Sequence, residues 1–208
     1  ILPDLVANYS TNRNLRMFAG EFTKFSADKR REIGRSFLTI IGTYARGSER
    51  IVDKTTHNFW YVGYIKAILP NAKLVHCRRD PRATCTSIYK NFFASGNFFA
   101  YDQIELGQYY RLYEDLMDHW RSIFGNAFFE IEYEKLIANQ KAETASLLGY
   151  CGLPWEESCL QFYETKRVVR TASAVQVRNQ IYSGSVDQWQ RYERPLAPLF
   201  QQLDEAKP

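Results

Sequence analysis

KLVHCRRDPRATCTSIYKNFF, residues 73–93, decides the fold. Lys73 to Cys77 reads as a strand, with the branched apolar Leu74 and Val75 at its centre. Asp80-Pro81 then opens a helix that runs to about Phe93. Aspartate is a good N-cap, and proline suits the first helical position because the amide it lacks would have no intrahelical partner there. A strand therefore delivers Arg78 and Arg79 to a helix start, with Arg82 in the first turn and Ser87 on the second.

Outward from this stretch, helical and extended patterns alternate. Residues 1–25 are helical in part, with Pro3 near the start. Ser26 to Arg46 predicts an amphipathic helix: Ser26 caps it, Asp28 lies in its first turn, Ile33, Phe37, Leu38, Ile41 and Tyr44 recur at helical spacing, and Gly47 closes it. Arg50 to Lys54 predicts a short strand, apolar at Ile51 and Val52. Asn58 to Leu69 predicts a helix ended by Pro70-Asn71. Downstream come a long helix over Tyr101 to Phe124 with Gly107 as a weak point, a strand over Phe128 to Glu132, and helices over Glu134–Ala138 and Ala142–Tyr150. A turn at Gly152–Trp155, a short helix over Glu156–Tyr163, a long loop over 164–187 and a terminal helix over Pro195–Leu203 complete the chain. The order predicts an α/β fold, a parallel sheet flanked by helices, as a single domain over residues 1–208. Ligands in such folds sit beyond the carboxyl ends of the strands, where this pattern puts both Lys54 and Arg79.

Composition narrows the function. The chain has 208 residues, 45% hydrophobic and 24% charged, as an ordinary globular domain does. Aromatics reach 15%, enough to fill a core and to leave some rings for stacking on a planar ligand. A net charge of +4 is too mild to indicate a nucleic-acid partner, and suits a local basic cluster around a small polyanion. Cys77, Cys85, Cys151 and Cys159 form no C-x-x-C pair, so they signal neither zinc nor a redox centre and read as small buried hydrophobes. No metal-ligand cluster is visible. No stretch approaches the roughly 20 apolar residues of a membrane span. Cysteine usage suits a cytoplasmic protein. Gly42 to Gly47 has Walker-loop glycine spacing but lacks the Lys-Ser/Thr and lies between a helix and a strand, the reverse of the required order.

Two constellations carry chemistry. At the first, the planar fork of Arg79 and the hydroxyl of Ser87 could clamp one phosphate from two sides; a surface ion network between Arg79 and Asp80 or a distant carboxylate fits the same residues. Because Asp80 already caps the helix, an anion would lie beside the helix rather than on its end. At the second, Ile51-Val52-Asp53-Lys54-Thr55-Thr56-His57, the Lys54 ammonium could neutralise a bridging or leaving oxygen and His57 could take a proton from a hydroxyl. A solvated Lys54 and a His57 that merely begins a helix fit equally.

Asp53-Lys54, the run His76 to Pro81, and Ser87 together resemble the sulfotransferase superfamily, most closely its tyrosylprotein-sulfotransferase-like and TPR-linked bacterial branches. The Arg79-to-Ser87 spacing is similar to the family's 3′-phosphate motif, and Glu132-Tyr133-Glu134-Lys135-Leu136 to its strand-end Tyr-Glu segment. Cys151 to Trp155 matches a common turn. Residues 170–189 look like a loop that covers the donor. The resemblance implies a P-loop-hydrolase-like fold and transfer of a sulfuryl group from 3′-phosphoadenosine 5′-phosphosulfate (PAPS) to a hydroxyl on a protein tyrosine, a glycan or a small alcohol or phenol, without a metal. It implies that Arg79 and Ser87 hold the 3′-phosphate, that Lys54 assists transfer, that Tyr133 packs near the adenine, and that Ser173, Gln176, Val177, Arg178, Ser183 and Gly184 close over the nucleotide. A homodimer is compatible with it, as is a Golgi lumen location.

Three departures qualify the resemblance. The 5′-phosphosulfate loop and its strand are not found in this sequence, so the chain is expected to begin after them, to be less stable than a longer parent, and to transfer sulfate weakly by itself. His57 stands three residues after Lys54, whereas the small-molecule branch has its histidine two after the lysine; the tyrosylprotein branch uses a glutamate from the region not found here. Asp187 aligns where that branch has a catalytic serine near the C-terminal tryptophan. A non-catalytic nucleotide-binding or interaction module derived from a sulfotransferase is the alternative, and a P-loop kinase would need a Gly-Lys-Ser/Thr loop upstream.

Overall fold

The computed structural model describes residues 22–45, 47–93, 96–165, 178–181, 184 and 186–205. Backbone contacts divide the chain into two compact units, Ile1–Ala72 and Lys73–Pro208.

In the first unit, helix α1 spans Ala27–Ala45. The Ser26 hydroxyl accepts the Lys29 N–H at 3.2 Å, as an N-cap should. A 3₁₀ turn at Asn58–Tyr61 leads into α2, Val62–Ile68. The two helices bury Phe22, Ile33, Phe37 and Ile68 together, with Ile41 and Tyr64 packed alongside. Leu38 and Tyr44 belong to the expected apolar stripe but are 50% and 72% exposed, so the buried face is narrower than the pattern predicts. Gly34 is what lets the helices approach: a Cβ there would lie 2.2 Å from the Ile68 carbonyl oxygen. The strand expected over Arg50–Lys54 does not form. Residues 50–54 have no ladder partner among the described residues, and Val52 is 91% exposed. An isolated extended stretch neither pairs its amides nor buries a face, so β-propensity alone does not make it a strand. Lys54 therefore stands on an exposed, unladdered stretch rather than at a strand end.

The second unit holds a two-stranded parallel sheet. Strand β1, Leu74–Arg78, pairs with β2, Phe128–Glu132, in the register Leu74↔Phe128 through Arg78↔Glu132. Helix α3, Pro81–Lys90, follows β1, and α4, Gln103–Phe124, leads toward β2. Helices α5, Tyr133–Ala138, and α6, Gln140–Cys151, follow β2, and α7, Ala197–Asp204, comes last. The Asp102 carboxylate caps α4 by accepting the Ile104 and Glu105 N–H groups at 2.8 and 2.9 Å. Pairing of strands 54 positions apart is what a helical crossover permits in a parallel sheet.

The core of this unit lies where α3, α4 and α7 meet: Cys85, Leu106, Tyr110, Leu196, Leu199 and Phe200. Gly107, expected as a weak point of the long helix, lets it approach α7, since a Cβ there would come within 2.4 Å of Gln202 Cβ. Burial of the Cys85 thiol pushes its pKa well above the ordinary range, in keeping with an inert core residue. On α3, the Arg82 guanidinium lies over Trp189 and Phe200 at 5.1 and 5.2 Å and pairs with Asp204 at 2.6 Å. At the amino end of the sheet the Tyr150 hydroxyl joins the two strands, accepting the Leu74 N–H at 3.0 Å and donating to the Ala127 carbonyl at 2.8 Å.

Candidate functional site

The carboxyl ends of β1 and β2 form a built corner. Asp80 caps α3: its Oδ1 accepts the Ala83 N–H at 2.7 Å, and Pro81 occupies the first turn. The Arg79 guanidinium lies 4.9 Å from the centre of the Tyr133 ring, a cation–π contact. The neighbouring Glu134 accepts the Asp80 N–H at 3.0 Å. Arg79 and Tyr133, two of the residues expected to hold a nucleotide, are thus adjacent at the edge where ligands of parallel sheets bind.

Ser87 is exposed on α3, two residues beyond the buried Cys85 and so about 200° around the helix from it. Core packing uses the opposite face, which leaves the hydroxyl accessible. Asn91 Nδ2 donates to the Ser87 carbonyl at 2.8 Å, a backbone contact that leaves the side chain out of the exchange.

In the first unit, Lys54 is exposed and His57 half-buried. His57 precedes the 3₁₀ turn without capping it through its side chain, and its ring lies 6.2 Å from that of Phe59. Arg178 and Gly184 are exposed. Gln180 Nε2 donates to the Tyr163 hydroxyl at 3.0 Å, tying the chain just after Arg178 to the turn at Glu157–Glu164. Ser173, Gln176, Val177 and Ser183 lie outside the described residues.

A polar network that the sequence reading did not single out lies on the α4 face of the sheet. His76 and Glu130 are register partners, and His76 Nδ1 lies 2.7 Å from Glu130 Oε1. A carboxylate only accepts, so Nδ1 carries the proton; Nε2 then accepts the Tyr113 hydroxyl, which is in contact with it. Arg121 donates to Glu130 through Nε at 2.8 Å and through a terminal nitrogen at 2.6 Å, and to Asp118 at 2.6 Å. Burial lowers the His76 pKa, and the opposing pull of Glu130 does not restore it, so the ring is neutral. For Glu130, burial raises the pKa, but hydrogen bonds from Arg121 and His76 outweigh it and hold the carboxyl below its usual range. Burial pushes Tyr113 up to about 12. Beside this network, Arg78, Tyr110, Tyr113, Glu114, Asp118 and Arg121 line a polar pocket of about 240 Å³. One signal of it was present in the sequence: a polar residue, His76 or Glu130, at the middle of each strand with apolar residues on both sides.

Among the described residues no group of His, Cys, Asp and Glu could hold a metal ion, and no helix is long and apolar enough to cross a membrane.

Comparison with known proteins gives the corner a context. An uncharacterized protein of Aquifex aeolicus (strain VF5) is 40% identical over 159 residues, covering 75% of this chain and 21% of that protein. The chain thus spans about a fifth of the length of that relative. The family described as "Sulfotransferase family" matches residues 8–157, which take in Lys54, the Arg79–Tyr133 corner and Ser87. With more than two thirds of its length in that match, and with the corner inside it, this chain belongs to the sulfotransferase family.

Proposed function

We propose that this protein transfers a sulfuryl group from PAPS to a hydroxyl acceptor, a protein tyrosine, a glycan or a small alcohol or phenol. Family membership supports sulfuryl transfer. The observation that carries the donor assignment is the Arg79 guanidinium seated on the Tyr133 ring at the carboxyl ends of two paired parallel strands. Arginine suits a phosphate because its planar fork can pair two phosphate oxygens at once. The exposed Ser87 hydroxyl on α3 is a second donor to the same 3′-phosphate, and Tyr133 borders the adenine. Arg178 and Gly184, with Ser173, Gln176, Val177 and Ser183, cover the nucleotide.

In this reading the acceptor oxygen bonds to sulfur while the bond from sulfur to the 5′-phosphate oxygen breaks, leaving adenosine 3′,5′-bisphosphate. The Lys54 ammonium offsets the charge that develops on the leaving oxygen. His57 takes the acceptor proton. Both roles need in-line placement of acceptor and donor more than covalent help from the protein. The reading includes one sulfotransferase domain over residues 1–208 with P-loop-like topology, in the tyrosylprotein-like or TPR-linked branch.

Calorimetric titration with adenosine 3′,5′-bisphosphate tests the donor site. Arg79→Ala should weaken binding about 100-fold, the worth of roughly two charge-assisted hydrogen bonds. Equal binding by the two proteins removes the assignment. Binding without any sulfuryl transfer from PAPS to a panel of phenols, tyrosyl peptides and glycans would instead favour a non-catalytic nucleotide-binding module.

A further inference from the structure

The corner contains one interaction that neither the strand ladder nor α3 explains by itself. The register ends at Arg78↔Glu132. Continued, it would set Arg79 opposite Tyr133 and Asp80 opposite Glu134, but both chains turn into helices there and the backbone ladder stops. Side chains take over: the Tyr133 ring meets the Arg79 guanidinium at 4.9 Å, and the Glu134 carboxylate accepts the Asp80 N–H at 3.0 Å.

The second contact solves a local problem of α3. In a capping box, the N-cap side chain accepts the N–H of the third helical residue, and a Glu or Gln at that third position accepts the N-cap N–H in return. Here the first half is present, Ala83 N–H to Asp80 Oδ1 at 2.7 Å. The second half cannot come from Ala83, which has no acceptor. Glu134 supplies it from the first turn of α5, just beyond β2. The box is split between two segments, and Arg79, one residue before the cap, has its backbone held on both sides: by the ladder at Arg78 and by Glu134 at Asp80.

We propose that Glu134 is a positioning residue for the donor's 3′-phosphate, completing the α3 capping box from the first turn of α5 so that the Arg79 guanidinium is fixed in place before the nucleotide binds. This rests on the reading of Arg79 as the 3′-phosphate ligand. A carboxylate beside a phosphate site opposes the anion by its charge, so its value there lies in the bond it accepts. Glutamine keeps an oxygen acceptor at the same reach and removes the charge. Aspartate keeps the charge and shortens the reach by one methylene.

The test compares adenosine 3′,5′-bisphosphate with adenosine 5′-monophosphate by calorimetry, in the wild-type protein and in Glu134→Ala, Glu134→Asp, Glu134→Gln and Arg79→Ala. The quantity read is the ratio of the two dissociation constants, which isolates the 3′-phosphate. Glu134→Ala and Glu134→Asp should each reduce that preference about tenfold, a loss of roughly one charge-assisted hydrogen bond, and leave the monophosphate affinity unchanged. Glu134→Gln should keep the preference or increase it. If Glu134→Ala does not fold, the contrast between the Asp and Gln variants carries the test. An unchanged preference in Glu134→Asp, or a Gln variant as weak as the Asp one, overturns the positioning role. An unchanged preference in Arg79→Ala overturns the donor site and this role with it, so the two failures are distinguishable.

Discussion

The stretches ending at Lys54 and at Arg79 share a sequence pattern, a branched apolar pair followed by a cation and then a helix start, and they fold differently. Leu74–Arg78 is laddered residue by residue to β2, its cap is made, and Arg79 is seated on Tyr133. Residues 50–54 have no such partner among the described residues, and Val52 is 91% exposed. The pattern is permissive, and the ladder is what converts it into a strand with a defined end. In the proposed reading, Arg79 would be a binding element held in advance, whereas Lys54 sits on a segment with no sheet pairing among the described residues.

The contrast can be broken most sharply by separating binding from chemistry. Lys54→Ala should lower kcat for sulfuryl transfer by about 10²–10³, as loss of a group that stabilises transition-state charge does, and leave the affinity for adenosine 3′,5′-bisphosphate unchanged. A Lys54→Ala protein with full kcat, measured under saturating donor, would show the two strand-like cations to be functionally unequal in a way this scheme does not allow.

The ladder itself is next. Glu130→Ala removes the acceptor shared by His76 and Arg121 beneath β1 and leaves their donors unanswered. Thermal or denaturant unfolding should show a loss of roughly 2–3 kcal/mol. Little change would mean that the register is held by the apolar residues alone.

Acid should find the same place. His76 has its pKa lowered in the fold, so its neutral form stabilises the folded state above the ordinary value of 6.5, and that contribution drains away as pH falls from 6.5 through the depressed folded value. Glu130, also lowered, adds a second loss below its ordinary 4.5. Tyr113 acts with the opposite sign: its contribution is lost only as pH rises from 10 toward about 12. His76→Gln should flatten the first acid step and leave most of the second, which the Arg121 bonds to Glu130 still support. Unfolding free energies from pH 8 to 4 that run parallel for the two proteins would reject this account. At the small end, Val52→Thr should change stability by no more than about 0.5 kcal/mol, as an exposed substitution does; a larger effect in urea unfolding would show that residues 50–54 are buried against something.

Much of the second unit was legible because its signals are local. Asp80-Pro81 marked the start of α3 to the residue, and β2 was bounded correctly by Phe128 and Glu132. What escaped reading depends on pairing between distant residues. His76 and Glu130 are 54 positions apart and become partners only through the register. The capping box of α3 was half visible, since its other half comes from α5, 54 positions away. Gly107 read as a helix weakness because propensity knows nothing of Gln202. Within the site, the meeting of Arg79 and Tyr133 follows from adjacent strand ends, but most of the expected covering loop lies outside the described residues.

Arg82 carries a consequence for how this protein tolerates trimming. Its guanidinium lies against both Trp189 and Phe200 and pairs with Asp204, all contributed by the last twenty residues. A stop codon near Arg194 would remove Leu199, Phe200 and Asp204 and leave Arg82 with Trp189 alone, about one and a half helical turns before Ser87. On the proposed reading, nucleotide grip would then slacken from a cut made far along the chain, at residues that need never meet the ligand.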